Sequence, residues 1–178
     1  YGQLKSNGPQ DDGDHFAGSL HAVSKFGNWM LTPQVTYYSY DVDAQPLGTD
    51  ELVLFGAYDS PTLVSADAYI PAISLSYYLE IPQVDWLEYM IHYIEYSSIV
   101  KEENGFNDSE LITIGSAWAS GGWYIQTDLV YSNGNDFVGN EEYGTTLIDF
   151  DYFTSNRLGA NQSDNWEYRF NINFGYYF

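Results

Sequence analysis

The carboxy-terminal segment, residues 166–178 with the sequence WEYRFNINFGYYF, alternates between two kinds of side chain. Successive side chains of a β-strand point to opposite faces, so the segment predicts a strand with one aromatic and one polar face. The aromatic face carries Trp166, Tyr168, Phe170, Ile172, Phe174, Tyr176 and Phe178, and the polar face carries Glu167, Arg169, Asn171, Asn173, Gly175 and Tyr177. The surroundings of these two faces decide what class of protein this is.

Similar alternation recurs along the chain, while helical periodicity is nearly absent. Roughly eight such segments are separated by turn-rich links, and they predict a single all-β domain over residues 1–178. The segments are HFAGSLHAVSKF, NWMLTPQVTYY, ELVLFGAY, AISLSYYLE, DWLEYMIHYIEY, ELITIGSAW, GWYIQTDLVYS and the terminal strand. The stretch 133–165 contains TTLIDFDYF, for which a further strand and an ordered loop both remain open.

Two interpretations of the alternation compete. In a soluble all-β protein the apolar faces point inward, but the interior of an eight-stranded barrel is only just wide enough for side chains and would not hold so many aromatic rings. The opposite faces are rich in Ser, Thr, Gly, Ala, Asn and Gln rather than Lys and Glu. We therefore predict a transmembrane antiparallel β-barrel, which points apolar residues at lipid and polar residues at the lumen.

Aromatic residues near the ends of the apolar faces are the expected contacts with the two membrane interfaces, because such barrels carry aromatic girdles there. The predicted interface residues are Trp166, Tyr168, Tyr176, Phe178, Trp123, Trp118 and Trp29. The stretch 133–165 and VKEENGFNDS are then outer loops, and SGG is an inner turn. If every predicted strand crosses the membrane, the tight FGN turn falls outside and DVDAQPLGTD inside, which reverses the usual loop lengths.

The charge of the chain restricts its partners. The 25 acidic and five basic residues give a formal net charge of −20, which disfavours binding to nucleic acid or other polyanions. The sequence has no run of about 18 apolar residues, so it predicts no transmembrane helix. Since the first residue is Tyr1 rather than Met, we expect a processed product or a fragment.

Much of the chain resembles a known family. The stretch EYSSIVKEENGFNDSELITIGSAWASGGWYIQTDLVYSNGNDFVG and the closing WEYRFNINFGYYF resemble the carboxy-terminal part of Gram-negative phosphate-selective porins of the O/P family, and GDHFAGSLHAVSKFGNWMLTPQVTYYSYD and LFGAYDSPTLVSADAYIPAISLSYYLE are similar to that family's later strands. The resemblance implies half of a barrel of about sixteen strands with an aqueous channel. It also implies a trimer in the outer membrane, contact with lipopolysaccharide, and recognition of the terminal Phe by the barrel-insertion machinery.

The chain departs from that family in its basic residues. The family's anion selectivity rests on lysine and arginine in the channel, whereas only Lys5, Lys25, Lys101, Arg157 and Arg169 are present here. None lies in a motif that matches a phosphate site, so no phosphate-binding residue is carried over. Half of the expected strands are also missing, which leaves a fragment, a half-barrel and a small complete barrel as alternatives.

Charged and polar residues on the inward faces are the candidate pore lining, because rings of such side chains select ions by sign. The candidates are Glu167, Arg169, Asp128, Gln126, Glu88, His92, His21 and Lys25. If the barrel has only eight strands, the same residues are instead salt-bridged wall residues that fill a narrow lumen. Both readings stay open at the level of sequence.

No metal, cofactor or catalytic site is predicted. DDGD and EENGFNDSE supply oxygen ligands of the kind that calcium uses, but neither has the spacing of a calcium loop, although weak divalent bridging to lipopolysaccharide phosphates remains plausible. His15, His21 and His92 lack a close metal-binding spacing. Ser97 or Ser98 with His92 would form a dyad only by chance, and no hydrolase or phosphate-loop motif is present.

The expected function is therefore passive diffusion of small hydrophilic solutes or ions through an outer-membrane porin. The excess of carboxylates predicts a preference for cations or neutral solutes. The alternative is a small non-conducting barrel with a structural, adhesive or assembly role through acidic outer loops. A barrel hydrolase is the third and weakest hypothesis.

Overall fold

A computed structural model describes residues 1–6, 8, 11–42, 50–57, 60–102, 108–133 and 166–178 of the chain. All regular structure within these residues is β-strand. The strands are β1 (Gly2–Leu4), β2 (Gly13–His21), β3 (Ser24–Phe26), β4 (Trp29–Asp41), β5 (Leu52–Ala57), β6 (Ser60–Ser65), β7 (Asp67–Glu80), β8 (Tyr89–Lys101), β9 (Ser109–Ser120), β10 (Trp123–Asn133) and β11 (Glu167–Tyr176). The described residues contain no helix that is long and apolar enough to cross a membrane.

Nine of the strands form one antiparallel sheet in the order β1-β2-β4-β7-β8-β9-β10-β11, with β3 paired to β4. The predicted all-β antiparallel architecture is thus confirmed. The sheet is open: β1 and β11 lie at its two edges, and the described residues include no pairing between them. A closed barrel is therefore not present in this part of the chain, because the only β1 ladder joins three residues to β2.

The strands β2 and β3 pair with β4 in two successive ladders that keep the same register. The pairing is interrupted where Ala22 lies opposite Pro33: the Ala22 amide donates to the Pro33 carbonyl at 3.1 Å, but proline has no N–H to return the bond. A second proline, Pro71 in β7, coincides with the gap in the β7–β8 ladder between Tyr69 and Ala72. Proline thus explains both breaks in otherwise long ladders.

The strands β5 and β6 pair only with each other, as a separate two-stranded sheet. ELVLFGAY forms a strand as predicted, but it does not join the main sheet with the other predicted strands. Alternation predicts a strand but not its partner. The described part of the link between β4 and β7 lies at one end of the main sheet, where the Tyr40 amide donates to the Ala66 carbonyl. Within the link, the Ala66 amide donates to the Glu51 carbonyl.

Without β5 and β6, the links between strands of the main sheet alternate between its two ends. We call them the loop end, which carries the links β1–β2, β4–β7, β8–β9 and β10–β11, and the turn end, which carries β3–β4, β7–β8 and β9–β10. FGN thus lies at the same end as SGG, and the described ends of DVDAQPLGTD, Asp41 and Asp50, lie at the loop end. The sequence proposals for residues 43–49, 103–107 and 134–165, including Arg157 and TTLIDFDYF, lie outside the described residues.

Two-residue turns close the hairpins β3–β4 and β9–β10. Gly27 and Gly121 occupy the first turn position with φ of 62° and 55°, a left-handed conformation that costs other L-residues about 1–2 kcal/mol. A Cβ on either glycine would meet open space, so the backbone conformation alone requires glycine there.

The substitution Gly121→Ala is expected to destabilise the fold by about 1–2 kcal/mol through this backbone strain. Gly121→Asn is the matched control and should cost less, because asparagine visits the left-handed region more readily. Equilibrium urea unfolding in detergent micelles measures both values. Equal stability of Gly121→Ala and the unchanged protein would contradict the assigned turn conformation.

The pairing register divides the side chains of the main sheet between two faces. One transverse row runs Lys25, Met30, Ser76, Tyr93, Gly115, Asp128 and Asn171, and the next row on the opposite face runs Phe26, Trp29, Tyr77, His92, Ser116, Thr127 and Ile172. We call the face with Asp128 the polar face and the face with Ile172 the apolar face.

The two faces also differ in exposure, as β10 shows. Trp123, Leu129 and Tyr131 on the apolar face are 51%, 39% and 43% exposed, whereas Asp128 and Ser132 on the polar face are 9% and 0% exposed. Most large exposed hydrophobic side chains of the sheet lie on the apolar face, with Met30 and Tyr78 as the exceptions among the described strand residues. The aromatic rings are thus not enclosed in a sealed interior.

Candidate functional site

The polar face is the candidate site, and it collects most of the predicted lining residues. Six of the eight lie on it: His21 opposite Gln34, Lys25 opposite Met30, Gln126 opposite Asn173, Asp128 opposite Asn171, Arg169 opposite Val130 and Glu167 opposite Ser132. Two of them lie on β2 and β3 near one edge of the sheet and four on β10 and β11 at the other edge, so they do not form one compact cluster.

The predicted positions of His92 and Glu88 on this face are wrong. His92 pairs with Tyr77 and Ser116, which places it on the apolar face. Glu88 precedes β8, and its Oε1 accepts a hydrogen bond of 3.0 Å from the Gly121 amide, so it holds the β9–β10 turn. The sequence is ambiguous here because β8 carries large apolar side chains on both faces.

Tyr93, Gln126 and Asp128 form a hydrogen-bonded cluster in the middle of the polar face. The Tyr93 hydroxyl donates to Asp128 Oδ1, and Gln126 Nε2 donates to the Tyr93 oxygen at 2.7 Å. The Tyr93 ring crosses β9 at Gly115, where a Cβ would lie 2.3 Å from the ring. Glycine at this position therefore lets a β8 side chain reach a β10 carboxylate, which is 9% exposed.

Beside this cluster, four strands line a cleft of about 240 Å³ on the polar face. Its polar lining consists of Thr32 and Gln34 from β4, Ser74 from β7, Glu95 and Ser97 from β8, and Thr113 from β9. The Ser74 hydroxyl donates to Glu95 Oε1 at 2.9 Å.

Sequence reasoning missed Glu95 because it assigned Tyr93 and its alternate neighbours to the apolar face. A longer window over β8 contains the correcting signal. Glu95, Ser97 and Lys101 lie two, four and eight residues after Tyr93, and these polar residues together indicate the lumen-type face.

The loop end of the polar face is tied to the β5–β6 hairpin. The Tyr38 hydroxyl donates to the Ser65 carbonyl at 3.1 Å, and Leu52, Val53, Ser65 and Ala66 are buried at the hairpin base. Nearby in β8, buried Lys101 donates from Nζ to Ser109 Oγ at 3.0 Å. These contacts are structural, since they join links to strands.

Acidic residues at the loop end do not form a metal site within the described residues. Asp41, Asp50, Glu51 and Asp67 border a cleft of about 320 Å³. No group of three or more metal-binding side chains is close enough to hold an ion in the part of the chain that the structure describes. The cluster is interpreted as a solvated acidic edge.

The link between β1 and β2 contains an exposed ion pair. Lys5 Nζ lies 2.5 Å from Asp12 Oδ2. The hydrogen bond to Lys5 lowers the pKa of Asp12 below its ordinary value, and the same bond raises the pKa of Lys5. Such exposed pairs add little stability, so this pair is not a candidate site.

The Ser–His dyad drawn from the sequence does not form. Ser97 lies on the polar face opposite Leu111, and His92 lies on the apolar face opposite Ser116. Ser98 shares the face of His92 but is six residues away, about 20 Å along an extended strand.

Aromatic residues of the apolar face lie in two belts, which include the predicted interface residues Trp29, Trp123, Tyr168 and Tyr176. At the turn end, Trp29 packs against Tyr77 with ring centroids 4.7 Å apart, and Trp123 against Tyr176 at 4.9 Å. At the loop end, Tyr37 packs against Tyr69 at 4.7 Å, and Tyr131 against Tyr168 at 6.1 Å. On β4, β7, β10 and β11 the two belt positions are eight residues apart.

The remaining predicted interface residues extend these belts. Trp118 on β9 shares the apolar face, between Met90 and Ile125. Trp166 and Phe178 flank β11 at its two ends and are exposed. The face between the belts is mainly aliphatic and phenylalanyl, with exposed Val35, Ile73, Ile94, Ile114, Leu129, Phe170, Ile172 and Phe174. It also carries two small polar residues, Ser116 on β9 and Thr127 midway along β10.

Comparison of the chain with models of known protein families, with curated proteins and with solved structures finds no match.

Proposed function

We propose that the chain forms part of the wall of a transmembrane β-barrel and lets small hydrophilic solutes and ions diffuse passively across an outer membrane. The apolar face contacts lipid, and the polar face lines water. The single observation that carries this proposal is the pair of aromatic belts on one exposed face, with aliphatic residues between them.

The offset of the belts between strand pairs supports a barrel. Tyr77 pairs with His92, His92 with Ser116 and Ser116 with Thr127, yet the belt residue of β10 is Trp123, four residues nearer the turn end. Because Trp29 pairs with Tyr77 and Trp123 with Tyr176, the offset from β4 to β11 stays four residues, or ~13 Å, over five strand steps of ~4.8 Å, or ~24 Å. The belts therefore run at about 29° to the perpendicular of the strands, somewhat less than the typical ~35–45° strand tilt of barrels.

The spacing of the belts also suits a membrane. Eight residues along a strand span about 26 Å, which a tilt of about 29° reduces to about 23 Å of height. The rings extend beyond their own Cα atoms, so the apolar band approaches the ~25 Å of outer-membrane barrels. A face exposed to water would have no reason to confine its apolar residues to a band of this height.

The polar face supports conduction of cations and neutral solutes. Asp128 and Glu95 place carboxylates in the middle of this face, while Lys101 is buried against Ser109 at the loop end. Carboxylates near the narrow part of a pore favour cations. Residence in a Gram-negative outer membrane, contact with lipopolysaccharide, trimer formation, insertion through the terminal strand and the completion of the barrel by further strands are part of the same proposal, by resemblance to the O/P porins.

Reversal potentials in planar bilayers under a KCl gradient test the proposal. We expect conductance steps with a K⁺/Cl⁻ permeability ratio above one, and a ratio closer to one for Glu95→Gln with Asp128→Asn, because two lumenal charges are lost. Glu102→Gln, beyond the end of β8, is the matched control and should leave the ratio nearly unchanged.

Two results would contradict the proposal. A clear preference for Cl⁻ would overturn the cation bias. Correctly folded protein that inserts into bilayers without conductance steps would favour the non-conducting barrel with a structural or assembly role.

A further inference from the structure

The Glu95 cleft has the chemistry of a binding site for a small organic molecule. Its volume of about 240 Å³ corresponds to about eight water molecules at roughly 30 Å³ each. Hydroxyls from Thr32, Ser74, Ser97 and Thr113 and the amide of Gln34 surround one carboxylate. The site therefore offers several neutral hydrogen-bonding groups and a single negative charge.

The charge of the cleft is not balanced locally. In the transverse row of Glu95, Thr113 and Val130 separate it from Arg169, which is three strand steps or about 14 Å away. Lys101 lies six residues along β8, about 20 Å away, and Lys25 lies three strands away at the turn end. The neighbouring carboxylate Asp128, which lies two strands from Glu95, accepts a hydrogen bond from the Tyr93 hydroxyl.

Glu95 itself is exposed and keeps acceptor capacity. Ser74 donates to Oε1, whereas an ionised carboxylate has about four acceptor positions. An ammonium group would form charge-assisted hydrogen bonds there, which are stronger than those of a neutral hydroxyl. The surrounding hydroxyls and amide can satisfy the polar groups of the same ligand.

We propose that this cleft binds small hydroxylated organic cations, with the ammonium group on Glu95 and the hydroxyls on Thr32, Gln34 and Thr113. The inference deepens the proposed function and rests on it in one respect, namely that the polar face is in contact with water. The inference specifies the class of solute that binds in the cleft while it passes through the proposed pore.

Three probes of similar size separate charge from shape: glucosamine as the cation, glucose as the neutral analogue and gluconate as the anion. Isothermal titration of the chain folded in detergent micelles should give the order glucosamine, glucose, gluconate in falling affinity. Glu95→Gln should weaken glucosamine binding about ten- to hundredfold, the loss expected for a charge-assisted hydrogen bond, and leave glucose binding within about twofold.

Glu80→Gln is the matched control, because Glu80 is an exposed carboxylate on the polar face, on β7, outside the cleft. Its glucosamine affinity should stay within about twofold of the unchanged protein. Thr113→Val should weaken both glucosamine and glucose by about fivefold, since it removes a neutral hydrogen-bonding group. Circular dichroism establishes that each variant is folded.

Equal affinity for glucosamine and glucose, or an unchanged affinity in Glu95→Gln, would overturn the inference. The same protein is also tested for conductance in bilayers. Binding of glucosamine without conductance would retain the inference and refute the pore, whereas conductance without selective glucosamine binding would refute the inference alone.

Discussion

Replacing Ile172 with arginine is expected to destabilise the membrane-inserted protein by about 2–4 kcal/mol, the cost of a basic residue on the lipid face at the bilayer midplane. Ile172 lies midway between the belt residues Tyr168 and Tyr176 and opposite Thr127, and it is 48% exposed. Equilibrium folding into phosphocholine vesicles, titrated with guanidinium chloride, measures the free energy of unfolding.

Asn171→Arg is the matched control, because Asn171 is the adjacent residue of β11 and faces the opposite way. Its cost should stay below about 1 kcal/mol, since arginine is tolerated where the face meets water. If the two variants were equally stable, or if Asn171→Arg were the more damaging, the apolar face would not be the lipid face and the proposed pore would be refuted.

Gly115→Ala is expected to destabilise the fold by about 1–3 kcal/mol, the usual cost of overpacking. An added Cβ would lie 2.3 Å from the Tyr93 ring, so the ring must leave its position over β9. It would then lose its hydrogen bonds with Asp128 and Gln126, and Asp128 would remain buried without the Tyr93 hydroxyl. Urea unfolding in micelles measures this loss.

A double-mutant cycle isolates the contact between the two residues. In the Tyr93→Ala background the same Gly115→Ala change should cost much less, because the ring that it displaces is already absent. Ala117→Val, one position along the polar face of β9, tests whether added volume is harmful there in general. Additive effects of Tyr93→Ala and Gly115→Ala would show that the ring does not rest on this glycine.

Much of the face assignment was predictable from single strands. In β10, the alternation of Trp123, Leu129 and Tyr131 with Gln126, Asp128 and Ser132 is unambiguous, and the structure assigns the same two faces. The prediction fails in β8, where Met90, Ile94 and Tyr96 on one face are as apolar as Tyr89, Ile91 and Tyr93 on the other. Only pairing with β7 and β9 separates these two sets, and with them Glu95 from His92.

Prediction from the sequence is limited in a similar way for the links between strands. The alternation in ELVLFGAY is that of a strand, but a strand pattern contains no information about which other strand completes its hydrogen bonds. Pairing of β5 with β6 removes both from the main sheet, and this change places the two-residue turns β3–β4 and β9–β10 at the same end of that sheet. The cleft at Glu95 was equally hidden, since its lining comes from strands that are distant in the chain.

The sequence by itself determined that this chain is all-β and that its strands have one aromatic-rich and one polar face, because side-chain alternation is a local property of extended backbone. Only the tertiary structure decided strand order, register, the offset of the aromatic belts and the neighbours of each polar side chain. Those features depend on hydrogen bonds between strands far apart in the chain, and a shift of register by one residue would exchange the two faces without any change in the sequence of either strand.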